Sequence, residues 1–136
     1  MQFRKAVPSD LENIVAVFRS AVKTMEDSHI FQWDRLYPNR EDFQEDIAGN
    51  HMYVGEDYVV LHRLCVNPVF QNRGIGTATV KYLEKLAERE GCKAVRLDVF
   101  SGNPYALKMY HALGYHIVGE VRFRKGRFYL MEKLLV

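Results

Sequence analysis

The sequence has little that would suit it to a membrane, a disulfide scaffold or a nucleic acid. Its 136 residues include two cysteines, Cys65 in an apolar run and Cys92 after a glycine, too few for a disulfide framework. No apolar run approaches the roughly 20 residues that span a bilayer, and residues 1–5 resemble no signal peptide. The net charge of +2 gives no bulk attraction for nucleic acid. These absences favour a single soluble domain over residues 1–136, which we expect to be cytoplasmic with reduced thiols.

Hydrophobic periodicity predicts a mixed α/β chain. Residues 11–25 carry an apolar stripe at helical spacing, preceded by Ser9 and Glu12 as a capping box. Three further helices are predicted, after Asn39, from Ile75 and after Asn103. Strands are predicted over residues 1–7, 58–66, 94–100, 115–124 and 127–135. The order of these elements fits a mixed sheet packed against helices.

Residues 71–77, Gln-Asn-Arg-Gly-Ile-Gly-Thr, lie between a strand-like run and a helix-like run. Gly74 and Gly76 lack a Cβ, so the backbone can turn sharply and a ligand can approach the first N–H groups of the helix. Those groups have no intrahelical partner and carry the positive end of the helix dipole. The segment therefore predicts an anion site, most naturally for phosphate, with the charge of Arg73 beside it. A glycine pair alone is explained equally well by a tight turn.

Two spaced motifs together give a more specific signal. Their residues are Val66, Pro68, Gln71, Gly74, Gly76, Asn103, Ala106 and Tyr110. The pattern resembles the GNAT family of acetyl-CoA-dependent N-acetyltransferases over most of the chain, and most specifically between Leu64 and Tyr115. The resemblance implies a GNAT-like mixed, mostly antiparallel central sheet with helices on both faces. It also implies direct acetyl transfer from acetyl-CoA to a primary amine of a small-molecule or peptide acceptor in a ternary complex, without a metal.

The resemblance implies a cofactor site along the strand and turn. Its members are Leu64, Cys65, Val66, Gln71, Asn72, Arg73, Gly74, Ile75, Gly76, Thr77, Asn103, Ala106 and Tyr110. The backbone of residues 64–66 would pair with the pantetheine arm as a strand does, and the N–H groups of 71–77 would hold the pyrophosphate. Residues 64–66 could equally be a plain core strand, and both readings can hold because the ligand contacts are made by backbone.

The resemblance gives Tyr110 the role of general acid, protonating the departing thiolate; a packed aromatic is the alternative. Histone-type members place a glutamate where this chain has Val60, so the general base does not transfer. His62, two residues on and on the same face, is a candidate because imidazole suits base catalysis near neutrality. A lone strand histidine is, however, more often structural. Weaker candidates are Glu56, Asp57 and Glu120. Proton removal through ordered water would need no single residue.

The loop at residues 26–38 concentrates aromatic side chains in a polar setting. Trp33, Asp34 and Tyr37 form a candidate acceptor site, in which Asp34 would pair with a cationic amine beneath Trp33. Packing on the domain or a homodimer contact explains the loop equally well. A basic cluster at the last hairpin comprises Arg122, Arg124, Lys125 and Arg127. The cluster could be solvated surface, meet an acidic acceptor or contact the adenosine phosphates.

Residues 51–66 are too few for the three antiparallel strands that a typical GNAT domain has there. About sixteen residues at roughly 3.3 Å each make at most two short strands. Either a hairpin near Asp57–Tyr58 has been lost, or the sequence omits a segment there. The second explanation is favoured because losing a central strand would expose a sheet edge.

Two other functions compete with acetyl transfer. A dinucleotide-binding unit is suggested by Asp98, which ends a strand at about the expected distance after the glycines. Against it, Thr79 stands where a third glycine is expected, and residues 67–73 are too long for the tight first turn. From another class, the chain could be a non-catalytic module that senses acetyl-CoA or binds a protein partner.

Overall fold

The computed structural model describes residues 3–34, 36–49, 54–55 and 57–135. In these ranges the helices and strands are α1 (Leu11–Asp27), α2 (Arg40–Gly49), β1 (Val54–Gly55), β2 (Tyr58–Leu61), α3 (Ile75–Arg89), β3 (Ala94–Phe100), α4 (Pro104–Ala112), β4 (His116–Phe123) and β5 (Gly126–Leu134). Short 3₁₀ turns at Pro8–Asp10 and Pro68–Phe70 precede α1 and the glycine segment. Each helix in the described ranges is too short or too polar to cross a membrane.

The strands form one mixed sheet in the order β1-β2-β3-β5-β4. Only β2 and β3 run parallel; the pairs β1–β2, β3–β5 and β4–β5 are antiparallel. This confirms the predicted mixed, mostly antiparallel sheet. The two short strands β1 and β2 are also what the length of residues 51–66 allowed. Glu56, between them, lies outside the described residues.

The parallel strands separate halfway along β3. Their pairing runs from Tyr58 opposite Ala94 to Leu61 opposite Leu97 and stops there. Strand β3 continues to Phe100, paired from then on with β5 alone. Residues 62–67 belong to no strand, so the predicted strand over 58–66 was too long. The separation opens a gap in the sheet beside the second half of β3.

Two hydrophobic clusters hold the helices. The larger takes the buried face of β3, Val95, Leu97 and Val99, together with residues of α3, α4 and β5. Val80 and Met131 are fully buried in it, and burying a side chain of this size contributes roughly 1.5–3 kcal/mol. The second cluster joins α1 and α2. Two separate clusters agree with helices divided between the two faces of the sheet.

Glu84 is a charged residue of α3 that is buried in the structure. Its carboxylate accepts hydrogen bonds from Tyr115 Oη at 3.0 Å and Lys133 Nζ at 2.9 Å. A buried carboxylate is tolerated when it is paired and hydrogen-bonded in this way. The partners lie on other elements, so helical periodicity could not show them.

Of three local predictions for the first 42 residues, one is confirmed and two are wrong. Residues 3–7 form no strand, and residues 1–2 lie outside the described residues. The Ser9–Glu12 capping box does not form; Asp10 precedes α1, and its carboxylate accepts from the Val7 N–H at 2.9 Å. Asn39 does cap α2: its Oδ1 accepts from the N–H of Asp42 at 3.0 Å, and the Asp42 carboxylate accepts in return at 2.7 Å.

Candidate functional site

A cavity of about 1410 Å³ opens where β2 and β3 separate. This exceeds the roughly 300–1,000 Å³ of a typical small-molecule pocket, so two molecules can lie in it together. Most of the predicted site residues line it: Trp33, Tyr37, His62, Leu64, Cys65, Val66, Gln71, Asn72, Gly74, Ile75, Gly76, Thr77, Asn103, Ala106 and Tyr110. Arg73 and Asp34 are not among its lining residues.

The segment that leaves the sheet offers unused backbone groups to the cavity. Within the described residues, the N–H groups of residues 64–66 donate to no protein acceptor. On the acceptor side, the Val66 carbonyl takes a hydrogen bond from Gln71 Nε2 at 3.2 Å, which ties the segment to the turn that follows. Backbone polar groups away from water are nearly always paired. An extended ligand chain lying along this segment would supply the missing partner.

The glycine turn is built by two glycines with different tasks. Gly74 caps α3 in the left-handed region at φ 78°, and a Cβ there would meet nothing within 4 Å, so its requirement is conformational. Gly76 has no positive φ, but a Cβ there would lie 3.2 Å from Met109 Sδ, so its requirement is space. The first backbone hydrogen bond of the helix is Ala78 N–H to the Gly74 carbonyl at 2.9 Å. Within the described residues, the N–H groups of 75–77 have no protein partner.

Arg73 extends away from the lining of the cavity. Its side chain is exposed, and the guanidinium lies 5.6 Å from the centre of the Phe70 ring. A direct contact between Arg73 and a bound phosphate therefore stays a prediction.

Asn103 caps α4 as predicted. Its Oδ1 accepts from the Ala106 N–H at 3.1 Å, and Pro104 takes the first helical position. Its Nδ2 donates to Gln32 Oε1 at 2.9 Å, which links the helix start to the loop after α1. Sequence spacing predicted the cap, but the link to Gln32 joins residues 71 positions apart.

Tyr110 lies on α4, where it lines the cavity while most of its side chain is buried. It is 7% exposed and packs edge-on against Tyr115 at 5.5 Å between ring centres. Burial raises the pKa of its phenol, and the nearby Asp98 carboxylate raises it further. Tyr110 therefore keeps its proton at neutral pH and can act as a donor.

His62 lies beside a carboxylate that sequence reasoning had placed in another role. Its Nδ1 is 3.5 Å from Asp98 Oδ1, and the side chains are 49% and 28% exposed. Asp98 is the first residue of β3 beyond the end of its pairing with β2. Together with Tyr110, both residues line the cavity. Strand alternation put Asp98 on the face opposite Val95, Leu97 and Val99, but only the sheet register brings it to His62.

Cys65 is not poised as a nucleophile. Burial raises the pKa of its thiol to about 12, so almost none of the reactive thiolate exists at neutral pH. This agrees with transfer directly between bound reactants rather than through an acetylated cysteine.

The predicted acceptor residues are engaged in packing and ion pairing. Trp33 is buried against Phe18, with ring centres 5.2 Å apart. Both oxygens of Asp34 bind Arg124 at 2.8 Å. Asp34 Oδ1 also accepts from the N–H groups of Leu36 at 2.9 Å and Tyr37 at 3.3 Å. The Arg124 hydrogen bonds hold the pKa of Asp34 well below its usual range. The carboxylate thus has little capacity left for a substrate ammonium.

The loop is also held from its other side. Arg63, in the left-handed region at φ 56°, binds Asp46 of α2 at 2.7 Å and donates from Nη1 to Tyr37 Oη at 2.8 Å. Two arginines from distant parts of the chain therefore fix the loop between α1 and α2 at one rim of the cavity.

The charged lining of the cavity is mostly basic. Among the described residues, its charged members are Arg63, Lys81, Asp98, Lys108, Arg124, Lys125 and Lys133. From the sequence alone, the basic hairpin is compatible with solvated surface and with a binding site. The structure brings Arg124 and Lys125 of that hairpin to the cavity, whereas Arg122 and Arg127 are not among its lining residues.

Comparisons with known proteins agree with this architecture. The profile of the Acetyltransferase (GNAT) family matches residues 15–115. The chain belongs to this family of acyltransferases. A spermine/spermidine N(1)-acetyltransferase of Bacillus subtilis (strain 168) is 27% identical over 134 residues, covering 89% of this chain and 85% of the relative.

Two solved structures show the same fold. A GNAT-family acetyltransferase from Streptococcus agalactiae has a TM-score of 0.79 and 20% identity, over 98% of this chain and 94% of that one. PaiA N-acetyltransferase from Thermoplasma acidophilum, solved with coenzyme A, has a TM-score of 0.75 and 20% identity, over 96% of each chain. The single parallel pair in a mostly antiparallel sheet also excludes the doubly wound dinucleotide-binding fold.

Proposed function

We propose that the protein transfers an acetyl group from acetyl-CoA to a primary amine of a small acceptor, by direct attack while both are bound. The separation of β2 from β3 after Leu61 and Leu97 is the observation that carries this proposal. Among the described residues it leaves the N–H groups of residues 64–66 without a protein acceptor, shortly before the glycine turn. One end of the cavity can thus take an extended arm and a phosphate group through main-chain atoms alone.

The residues present fit acetyl-CoA. The N–H groups of residues 75–77 suit the pyrophosphate, because they are unpaired and carry the positive end of the α3 dipole. Because Gly76 lacks a Cβ, α3 can pack close to Met109 and Val66. This packing closes the cavity next to the proposed pyrophosphate position. When bound, acetyl-CoA supplies a thioester whose acetyl carbon accepts an amine. A homologous fold solved with coenzyme A supports this choice of cofactor.

His62 is the proposed general base. Its imidazole takes a proton from the acceptor ammonium, leaving the amine free to form the new C–N bond. Asp98 lies 3.5 Å from Nδ1 and orients the ring, so that the other nitrogen, Nε2, can receive the proton. His62 and Asp98 would together supply the base function for which histone-type members use a glutamate at the place of Val60.

Tyr110 is the proposed general acid. As the C–S bond breaks, the leaving thiolate takes the phenolic proton, and the deprotonated Tyr110 then recovers a proton from solvent. The raised pKa of Tyr110 makes its phenoxide a strong base, so it returns to the protonated form at once. Across the cycle two protons leave the acceptor nitrogen, one before the C–N bond forms and one after it. One of them is balanced by the new S–H, the other is released to solvent, and no oxidant is consumed.

The test is a coenzyme A release assay with purified protein, acetyl-CoA and a panel of amines, each run without protein as a blank. Thiol release that depends on one class of amine, with a matching acetylated product by mass spectrometry, supports the proposal. Acetyl-CoA binding without release for every amine would instead indicate a sensor or a partner-binding module. Preference for NAD over acetyl-CoA would contradict both.

A further inference from the structure

We propose that the acceptor is an amine carrying a carboxylate, such as an amino acid, and that Lys125 binds that carboxylate. This rests on the proposed acetyl transfer and names its substrate class. The nearest alternative chemistry is a polyamine, the substrate that the name of the Bacillus subtilis relative gives.

Three of the basic lining residues are already neutralised. Arg63 pairs with Asp46, Arg124 with Asp34, and Lys133 with Glu84. The described lining then leaves Lys81 and Lys108 without a carboxylate at ion-pair distance, and Lys125 with one contact, 3.6 Å to the Asp34 carboxylate that Arg124 already binds.

These three lysines divide between the two ends of the cavity. Lys81 lies on α3, the helix that the glycine turn opens, and Lys108 on α4, whose Met109 packs against Gly76. Both suit the phosphates of the cofactor. Lys125 lies instead in the turn between β4 and β5, which is joined to the loop after α1 through Asp34. Its charge is therefore available to the acceptor.

Lys125 has unused donors facing a partly sheltered space. Its Nζ is 3.6 Å from Asp34 Oδ2, too far for a hydrogen bond, and Arg124 already donates to both oxygens of that carboxylate. Among the described residues Lys125 Nζ makes no hydrogen bond. Its side chain is 27% exposed, and a charge with reduced access to water attracts an anion more strongly than a fully solvated one does.

A polyamine fits the same space poorly. Asp98 is the one carboxylate in the described lining, and its Oδ1 already lies 3.5 Å from His62 Nδ1. Each further ammonium of a polyamine would face the charge of Lys125, because Arg124 and Asp34 neutralise each other. Like charges brought together in this way lower affinity and act against the wrong substrate. An amino acid, by contrast, offers one amine to His62 and one carboxylate to Lys125.

The experiment compares acceptors that differ only in the carboxylate. The pairs are lysine with cadaverine, 4-aminobutyrate with propylamine, and phenylalanine with phenethylamine; spermidine is the polycationic probe. We expect kcat/KM at least about tenfold higher for the acid member of one or more pairs than for its decarboxylated partner, and little turnover of spermidine.

Lys125→Glu and Lys125→Ala identify the residue responsible. Glutamate should abolish the preference for the acid, shifting the ratio within a pair at least about 100-fold toward the amine, and alanine should remove about tenfold. The KM for acetyl-CoA should stay within about twofold. Lys85→Ala, an exposed lysine of α3 outside the cavity lining, is the control and should change neither ratio nor KM.

The possible outcomes separate the two proposals. If cadaverine and spermidine are acetylated better than the acids, or if Lys125→Glu leaves the ratio unchanged, the substrate class is overturned while acetyl transfer stands. If Lys125→Glu raises the KM for acetyl-CoA instead, Lys125 serves the cofactor and the inference fails. If acetyl-CoA binds but no amine of the panel releases coenzyme A, the proposed function fails, and the inference fails with it.

Discussion

The two ends of the cavity are formed by different chemical groups, main-chain N–H groups at one and side chains at the other. At the cofactor end, residues 64–66 and 75–77 present main-chain N–H groups set by a strand separation and a left-handed glycine. At the acceptor end, the loop after α1 and the β4–β5 turn meet through side chains alone. The pair formed there by Asp34 and Arg124 spans 90 residues of sequence. A backbone site tolerates side-chain change, whereas a rim of ion pairs changes character with a single substitution.

Tyr110 stands where the two ends meet, and removing its hydroxyl should have the largest effect. Tyr110→Phe keeps the ring that packs on Tyr115, so we expect a folded protein whose kcat falls by about 10²–10³. The KM for acetyl-CoA should change little, because the proposed cofactor contacts are made by backbone. Steady-state kinetics measure both. Tyr82→Phe, on α3 and outside the cavity lining, is the matched control; wild-type kcat in Tyr110→Phe would remove the acid role.

The next-largest loss of kcat is expected at His62, the proposed base, whose role depends on its side chain rather than on backbone groups. His62→Gln should lower kcat by about 10², because glutamine fills similar space but cannot carry the proton away. Asp98→Asn should lower it by about tenfold while binding of acetyl-CoA, followed by calorimetry, is retained. A loss confined to acceptor KM in both variants would mean that the pair binds the acceptor rather than moving a proton.

Substitutions at the two ends of α3 can show whether the turn at Gly74 holds the cofactor. Gly74→Ala forces a side chain into φ 78°, which costs about 1 kcal/mol. The resulting shift of the turn should weaken acetyl-CoA binding about tenfold. Gly91→Ala is the matched control: it has φ 83° and an equally open Cβ position at the other end of α3. Denaturant unfolding should show a similar loss in both variants, and calorimetry a loss of affinity in Gly74→Ala alone. Equal affinities would show that the turn does not hold the cofactor.

The smallest effect concerns the acid sensitivity of the acceptor rim. Because Arg124 lowers the pKa of Asp34 in the folded protein, the stabilisation from this pair is present above the unfolded pKa of about 4. It is lost as pH falls further, when the carboxylate must be protonated. Asp34→Asn should therefore lower the free energy of unfolding by about 0.5–1 kcal/mol at pH 7, and by less near pH 3. Urea titrations at the two pH values measure this, and an equal loss at both would argue against the ion pair as the cause.

Local sequence predicted well the secondary structure around the proposed cofactor end. The start of α3, the whole of β3 and the Asn103 cap follow from glycine, alternation and capping patterns that act within a few residues. It overestimated β2, because nothing in the apolar run 58–66 signals that the chain leaves the sheet after Leu61. It gave no sign that Glu84 is buried, because its partners Tyr115 and Lys133 lie far along the sequence.

The proposed acceptor end could not be predicted from local sequence, because it too depends on contacts between distant residues. Asp34 looked like a free carboxylate until Arg124 was found bound to it, and Asp98 looked like a ribose ligand until the register placed it beside His62. Each of these roles depends on a contact between residues more than 30 positions apart. Residue type and spacing indicate which interactions a side chain can make. The fold decides which of these interactions are already used within the protein.

The bidentate bond between Asp34 and Arg124 has a consequence for how acceptor preference can change. Replacing either partner alone leaves the other's charge without its partner at the exposed mouth of the cavity, at a modest cost in stability. Engineered libraries that vary the loop and the hairpin turn separately should therefore keep the fold while changing the charge at the mouth. Varying Arg124 with its neighbours in the hairpin turn, while Asp34 keeps its bonds to the N–H groups of Leu36 and Tyr37, offers a path to new acceptors that leaves the glycine turn untouched.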